Sequence, residues 1–438
     1  MRVFRPGDPD YGDGIAALTR MAEPERRVAE SVAEILLAVR ARGDEALIDL
    51  TERFDRVRLS PGALRVTEAE FGAAERAVSE DVRAAVAAAH GNVRAFAEAS
   101  LRKDWEMVNG QGALVGERFL PFDRVGLYVP GGSAPLVSTA LMTVTLGAAA
   151  GVPELMVATP CGRDGAINPN LLYALRVAGA TEVYRVGGAQ AIAAMAFGTE
   201  TIAAAAKIFG PGNSYVVEAK RQCFGRVAID LLPGPSEILV LADESADPAW
   251  IAADLLAQAE HDPQSVAGLL TESESLLEAV AAEVERQARS LSRNDIVTRA
   301  LERAFLIQVA SWQEGIALAN AFAPEHLSLV CRDPEAVIPL LRSAGAIFVG
   351  GYAPVAAGDF LAGPSHTLPT GGAGKSFAGL TADQFQRRTS VLRFDREALD
   401  RSRAFIETFC RVEGLDAHAR STAIRLERGD RSLGASDF

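Results

Sequence analysis

Apolar residues recur at intervals of three and four through "EPERRVAESVAEILLAVRARGDEALIDLTERFD", and again from Thr67 through "TEAEFGAAERAVSEDVRAAVAAAHGNVRAFAEAS". That period gives a helix one apolar face, so residues 24–105 are predicted helical, with Thr67 as an N-cap. From Phe122 the pattern shortens. "RVGLYVP", "ELMVATP", "EVYRVGG" and "AKIFGPGN" are brief β-type runs, each ending in a Gly- or Pro-bearing turn, with helix-patterned segments between them. A second series begins near Ser236. There "EILVLAD" reads as a strand, "DPAWIAADLLAQAEHD" as a helix with Pro248 in its first turn, and "VAGLLT" and "GAIFVGG" as further strands. Strands alternating with helices predict parallel βαβ units, hence an α/β chain with two such units. The tail from Arg401 reads as two short helices around Gly414, too small to hold a core alone.

Composition narrows the partners. A chain of 438 residues is too long for one small core. A formal charge of -13 argues against nucleic acid or an anionic membrane surface, since either rewards a basic face. The four cysteines are scattered without a CxxC pair, as in a cytoplasmic protein with reduced thiols and no thiolate zinc site. The opening "MRVFRPGDPDYGDG" is charged and turn-rich, unlike a signal peptide. The most apolar run, "LVSTALMTVTLGAAAGV", is broken by Ser and Thr and followed by Pro153, which suits a buried helix on a sheet.

Candidate chemistry gathers around four of the five histidines; His90, in an alanine-rich helix, reads as structural. In "LLAQAEHDPQS", Gln258 and His261 stand three apart and so share a helical face. An amide oxygen and an imidazole can ligate one divalent ion, or they can simply close a helix end, and the remaining ligands are missing from this stretch. "GDFLAGPSHTLPTGG", a loop by composition, offers Asp359 and His366. "EGLDAH" offers Glu413 and His418 on either side of the helix-breaking Gly414. "FAPEHL" sets Glu325 beside His326 at the expected start of a short helix, where divergent neighbours suit a general base and a water-activating carboxylate. Three glycine turns, "YVPGG", "RVGGAQA" and "FGPGNSYVVEAK", leave strands and enter helices, where free N–H groups suit an anionic ligand. None is GxGxxG, so the residues alone do not identify NAD.

Eight motifs in order, "VGLYVPGG", "VGGAQAIAAMAFGTE", "GPGNSYVVEAK", "GPSEILVLAD", "QAEHD", "APEHL", "AGPSHTLPTGG" and "EGLDAH", resemble the histidinol dehydrogenase family from about residue 24 to 420. The resemblance implies two incomplete Rossmann-like domains, the first interleaved with N-terminal helices, plus two small, mainly helical domains at the chain ends. The implied partition is 1–23 with 381–404 for dimer contact, 24–126 with 236–380 for the metal and catalytic residues, 127–235 for NAD, and 405–438 reaching the partner subunit. It implies oxidation of L-histidinol, through the aldehyde, to L-histidine, using two NAD+ and one water, in a cytoplasmic homodimer with shared active sites. Gln258, His261, Asp359 and His418 match the family's ligands to one Zn2+ per subunit, His418 coming from the partner. Ser236, Gln258, His261, His326, Asp359, His366, Glu413 and His418 match its substrate contacts. Glu325 and His326 match its catalytic pair, and Tyr128, Gln190 and Asn213 its contacts to NAD+, a co-substrate. Ser365, where asparagine is expected, and Pro233, where alanine is usual, depart from the pattern and bear on fine specificity.

Three rival readings use the same residues. A paralogous NAD-dependent enzyme would oxidise another small polar alcohol, such as a sulfonated diol. A zinc hydrolase would use Glu325 on metal-bound water without any nicotinamide. A non-catalytic metal-binding protein would leave the Glu325–His326 pair without a purpose.

Overall fold

The computed structural model describes residues 1–16, 26–131 and 135–427. Gly132 of the first glycine turn and the last residues of the tail lie outside them. The chain divides into two compact units, one of residues 1–100 with 122–385, the other of 101–121 with 386–438.

The larger unit contains two parallel sheets. One has five strands, in the order Glu182–Arg185, Glu154–Thr159, Arg124–Tyr128, Lys207–Phe209, Ala228–Ile229. Counted by appearance, that order is 3-2-1-4-5, the arrangement of a Rossmann half. The second sheet repeats it with Phe305–Gln308, Val266–Thr271, Glu237–Ala242, His326–Val330 and Ala346–Val349, and adds Arg2–Phe4 at the edge beside Phe305–Gln308. Each sheet therefore reverses its winding once, between its first and fourth strands. All the strands the pattern predicts form, and the central ones, such as Glu237–Ala242 and Val266–Thr271, are buried end to end.

Local signals act as their chemistry requires. Thr67 caps helix Glu68–Ala77 through a reciprocal pair of bonds with Glu70. Asp247 accepts from the Ala249 N–H and Pro248 occupies the first position of helix Pro248–Ala259. The apolar run becomes helix Val137–Ala149, buried from Thr139 to Gly147. Among the described residues no helix is long and apolar enough to cross a membrane.

Three placements differ from the sequence reading. Residues 26–55 were grouped with 236–380. Val32, Leu36, Val39 and Leu47 instead share a core with Met156, Tyr184, Ile192 and Ile208 of the five-stranded sheet and its helices. Their apolar face is complementary to that sheet, a tertiary preference that periodicity does not contain. Residues 2–4, assigned to a helical region, pair in parallel with Phe305–Ile307. Residues 386–393, likewise assigned to helix, form a strand in the smaller unit, antiparallel to Leu114–Pro121, which also pairs with Trp105–Val108. The smaller unit is completed by helices Arg396–Glu413 and Asp416–Glu427, with Gly414 in the left-handed region at φ 70° between them.

Candidate active site

A cluster of buried, mutually interacting ionisable residues lies at the amino ends of the six-stranded sheet. Glu237 opens strand Glu237–Ala242 and His326 opens the neighbouring strand, with His326 in register with Ile238. Glu325 and His326 were expected on a helix. Helix Trp312–Phe322 in fact ends just before them, at Ala323 in the left-handed region (φ 52°), and Pro324 follows that ending. "HLSLV" then packs as a buried strand between two parallel neighbours.

Both side chains lean on one residue. The Glu237 N–H donates to Glu325 Oε2 at 2.9 Å, and the Glu237 carbonyl lies 3.0 Å from His326 Nδ1. A carbonyl can only accept, so Nδ1 carries a proton and Nε2 is the nitrogen turned to the site. His326 Nε2 is buried with no hydrogen-bond partner, 3.6 Å from Asp359 Oδ1. Burial pushes the Glu325 carboxyl up to about 7, against the pull of His326 and the Glu237 N–H. Burial pulls His326 down, but the Glu325 and Asp359 carboxylates outweigh it and raise the imidazole to about 9. Burial would likewise raise Asp359; its contact with His326 wins and holds it below the usual carboxylate range.

Asp359 falls on the short helix Val355–Phe360 rather than in the expected loop, while His366 is in the loop beyond. Asp359 Oδ2 stands 3.7 Å from His261 Nε2. One turn before His261, the amide of Gln258 is buried at 1% exposure with neither its nitrogen nor its oxygen hydrogen-bonded. An amide in that state costs a few kcal/mol unless something unseen satisfies it. No three His, Cys, Asp or Glu side chains among the described residues are close enough to hold a metal by themselves. A set of Gln258, His261 and Asp359, two of that kind and one amide, still fits a divalent ion that takes a further ligand from elsewhere.

His366 has both ring nitrogens engaged, Nδ1 at 3.0 Å from the Asp359 carbonyl and Nε2 at 3.0 Å from Thr139 Oγ1. Burial holds its pKa down, so it is neutral. Thr139, on the buried helix Val137–Ala149, carries no sequence signal and was missed; it joins the two α/β halves at the site. Ser236 precedes Glu237 and its hydroxyl bonds Glu325. Ser365 is buried and accepts from the Thr367 N–H at 3.2 Å. Glu413 and His418 belong to the smaller unit, the first ending helix Arg396–Glu413 and the second in the first turn of Asp416–Glu427, both exposed.

The glycine turns gather at the carboxyl ends of the five-stranded sheet. A Cβ on Gly131 or on Gly187 would press on Pro160 at 2.7 Å, so both backbones close on that ring. The Tyr128 hydroxyl accepts from the Gly188 N–H at 3.0 Å. Gln190 is buried in helix Gly188–Phe197. Asn213 is exposed, and its side chain caps helix Ser214–Cys223 by accepting from the Tyr215 and Val216 N–H groups.

The family profile described as histidinol dehydrogenase matches residues 18–426. The chain belongs to the histidinol dehydrogenase family. It is 46% identical over 409 residues to the histidinol dehydrogenase of Geobacillus kaustophilus (strain HTA426), covering 93% of this chain and 95% of that one. The enzyme of Heliobacterium mobile is 44% identical over 405 residues, covering 92% and 95%. The crystal structure of histidinol dehydrogenase from Elizabethkingia anophelis superposes with a TM-score of 0.93 at 35% identity, covering 98% of both chains. Membership makes the chain an NAD-dependent oxidoreductase that takes histidinol to histidine in histidine biosynthesis.

Proposed function

We propose that the reaction runs through L-histidinaldehyde in two hydride transfers to NAD+, beside a site where Gln258, His261, Asp359 and His418 of the partner subunit would hold zinc. The observation that carries this reading is the orphaned Gln258 amide one turn from the His261–Asp359 pair, beside the free Nε2 of His326. The ion would supply an anchor for the substrate's imidazole and amino groups, fixing the carbinol carbon for transfer. Ser236, His366 and Glu413 complete the contacts to the substrate, and Tyr128, Gln190 and Asn213 those to NAD+.

With its pKa raised to about 9, His326 must first release its Nε2 proton; Nε2 then takes the alcohol proton as the carbinol hydride leaves for the nicotinamide, giving the aldehyde and NADH. The Glu325 carboxylate then draws a proton from water as its oxygen adds to the aldehyde carbon. The oxyanion takes back the proton held on His326 to give the diol, which delivers a second hydride to a fresh NAD+ as His326 accepts one hydroxyl proton; the carboxylic acid so formed ionises to the carboxylate. Two bases are needed, and two are present, each oriented by the Glu237 backbone. We further place the enzyme in the cytoplasm, as a homodimer, because four free thiols persist in a reducing compartment and Glu413 and His418 are exposed for a partner.

The test is NADH formed per substrate consumed. Two NADH per L-histidinol, with no comparable turnover of sulfonated diols, is the expected result. Turnover of a diol in preference to histidinol would move the chain to the paralogous reading, and product formed without nicotinamide would move it to a hydrolase.

A further inference from the structure

The five-stranded sheet reverses its winding between Arg124–Tyr128 and Lys207–Phe209, and ligands of such sheets sit in the crevice outside that reversal. Tyr128 ends the first of these strands and Gly210 follows the second. Gly210 has φ 113°, and a Cβ there would stand 2.1 Å from the Tyr128 carbonyl oxygen, so the Gly210 turn rests directly on the Tyr128 peptide. Beneath it lies an ion pair, Lys220 with Asp230, both side chains at 0% exposure. Lys220 Nζ donates to the Gly210 carbonyl at 3.0 Å, and Asp230 Oδ2 accepts from the Gly210 N–H at 2.8 Å. Asp230 Oδ1 also accepts from the Leu231 N–H at 2.6 Å. Both polar groups of one peptide turn are thus gripped by opposite ends of a desolvated charge pair.

Such a pair is a poor source of stability, because its desolvation offsets most of its attraction. What it provides is orientation. We infer that Lys220 and Asp230 are positioning residues for the dinucleotide, fixing the Gly210–Asn213 turn against Tyr128 at the winding reversal. Neither residue touches NAD+; they act through Gly210. The inference rests on the assignment of Tyr128 and Asn213 to NAD+, and deepens it by naming what holds those contacts in place.

Lys220→Met with Asp230→Leu removes both arms without leaving a buried unpaired charge. The double variant is expected to melt below the wild type, because it strands the Gly210 and Leu231 backbone groups, to raise KM for NAD+ at least ~10-fold, and to leave KM for histidinol and kcat at saturating NAD+ within about two-fold. Lys220→Gln with Asp230→Asn rebuilds neutral arms to the same two Gly210 groups and is expected to restore the NAD+ KM. Gly210→Ala, which leaves the pair intact but forces the turn off Tyr128, is expected to reproduce the high KM and serves if the first variant does not fold. An unchanged NAD+ KM in folded K220M/D230L or in G210A overturns the inference. Asn213→Ala is the control. If it raises the NAD+ KM while the clamp variants do not, the inference alone fails; if it too leaves the KM unchanged, the NAD+ assignment fails and the inference with it.

Discussion

His326 Nε2 and Asp359 Oδ1 face each other across 3.6 Å, the nitrogen buried and without a hydrogen bond. The same aspartate turns its other oxygen to His261 at 3.7 Å. One carboxylate therefore stands between His326, the proposed base, and His261, a proposed zinc ligand.

His261→Asn takes a nitrogen ligand from the set while keeping its approximate size. Zinc affinity is expected to fall by more than the roughly 100-fold that loss of an outer-shell partner costs. NADH formation falls with it. Metal analysis on the purified variant, beside a histidinol assay, checks this; a fully zinc-loaded, active variant would remove His261 from the set.

Glu325→Gln separates the half-reactions. Aldehyde oxidation is expected to slow ~10²–10⁴-fold, the usual contribution of a positioned base, while histidinol oxidation to the aldehyde changes little. In the unaltered enzyme the aldehyde step should rise with pH through about 7, since burial raises the Glu325 carboxyl to that value and only the ionised form accepts the water's proton. Equal slowing of both steps in single-turnover measurements would contradict the assignment.

Asp55 tests the electrostatics beside Tyr128. It ends helix Asp44–Asp55, where the helix dipole disfavours an anion, its Oδ2 is buried without a partner, and burial pushes its pKa up to about 6. The unfolded chain ionises this group near 3.8. Folding therefore favours the protonated form, and the group's contribution declines as pH rises from about 4 to about 6. Asp55→Asn should stabilise at pH 7 by on the order of 2 kcal/mol and not at pH 3.5, read by thermal melts at both pH values.

Ala323 holds a left-handed backbone at φ 52° immediately before Pro324 and Glu325. Such strain costs roughly 1–2 kcal/mol for an L-residue, and Ala323→Gly should recover part of it, less the entropy glycine adds to the unfolded chain. A small rise in melting temperature is expected; a fall would show the left-handed alanine to be unstrained.

Much of this was legible in the sequence because short-range chemistry set it. The Thr67 cap, Pro248 in the first helical turn, the break at Gly414 and the strand runs are all written in residue order. Strand Arg2–Phe4 and the packing of residues 26–55 were not, because each depends on a surface built by distant segments. The candidate site residues stand out as histidines with polar company, but the local structure differs: "FAPEHL" looks like a helix start because Pro opens many helices, whereas here it follows one. Thr139 and the Lys220–Asp230 pair gave no signal, since one threonine in an apolar helix and two charges ten residues apart look ordinary until folding buries them.

The most direct measurement concerns the proposed sharing of the site between subunits. His261→Asn and His418→Asn chains, each inactive as homodimers, are mixed under conditions that exchange subunits, and histidinol-dependent NADH formation is followed. If His418 completes the site of its partner, each mixed dimer carries one intact site, and activity should recover to about a quarter of the wild-type value. Verified mixed dimers with no recovered activity would contradict the account.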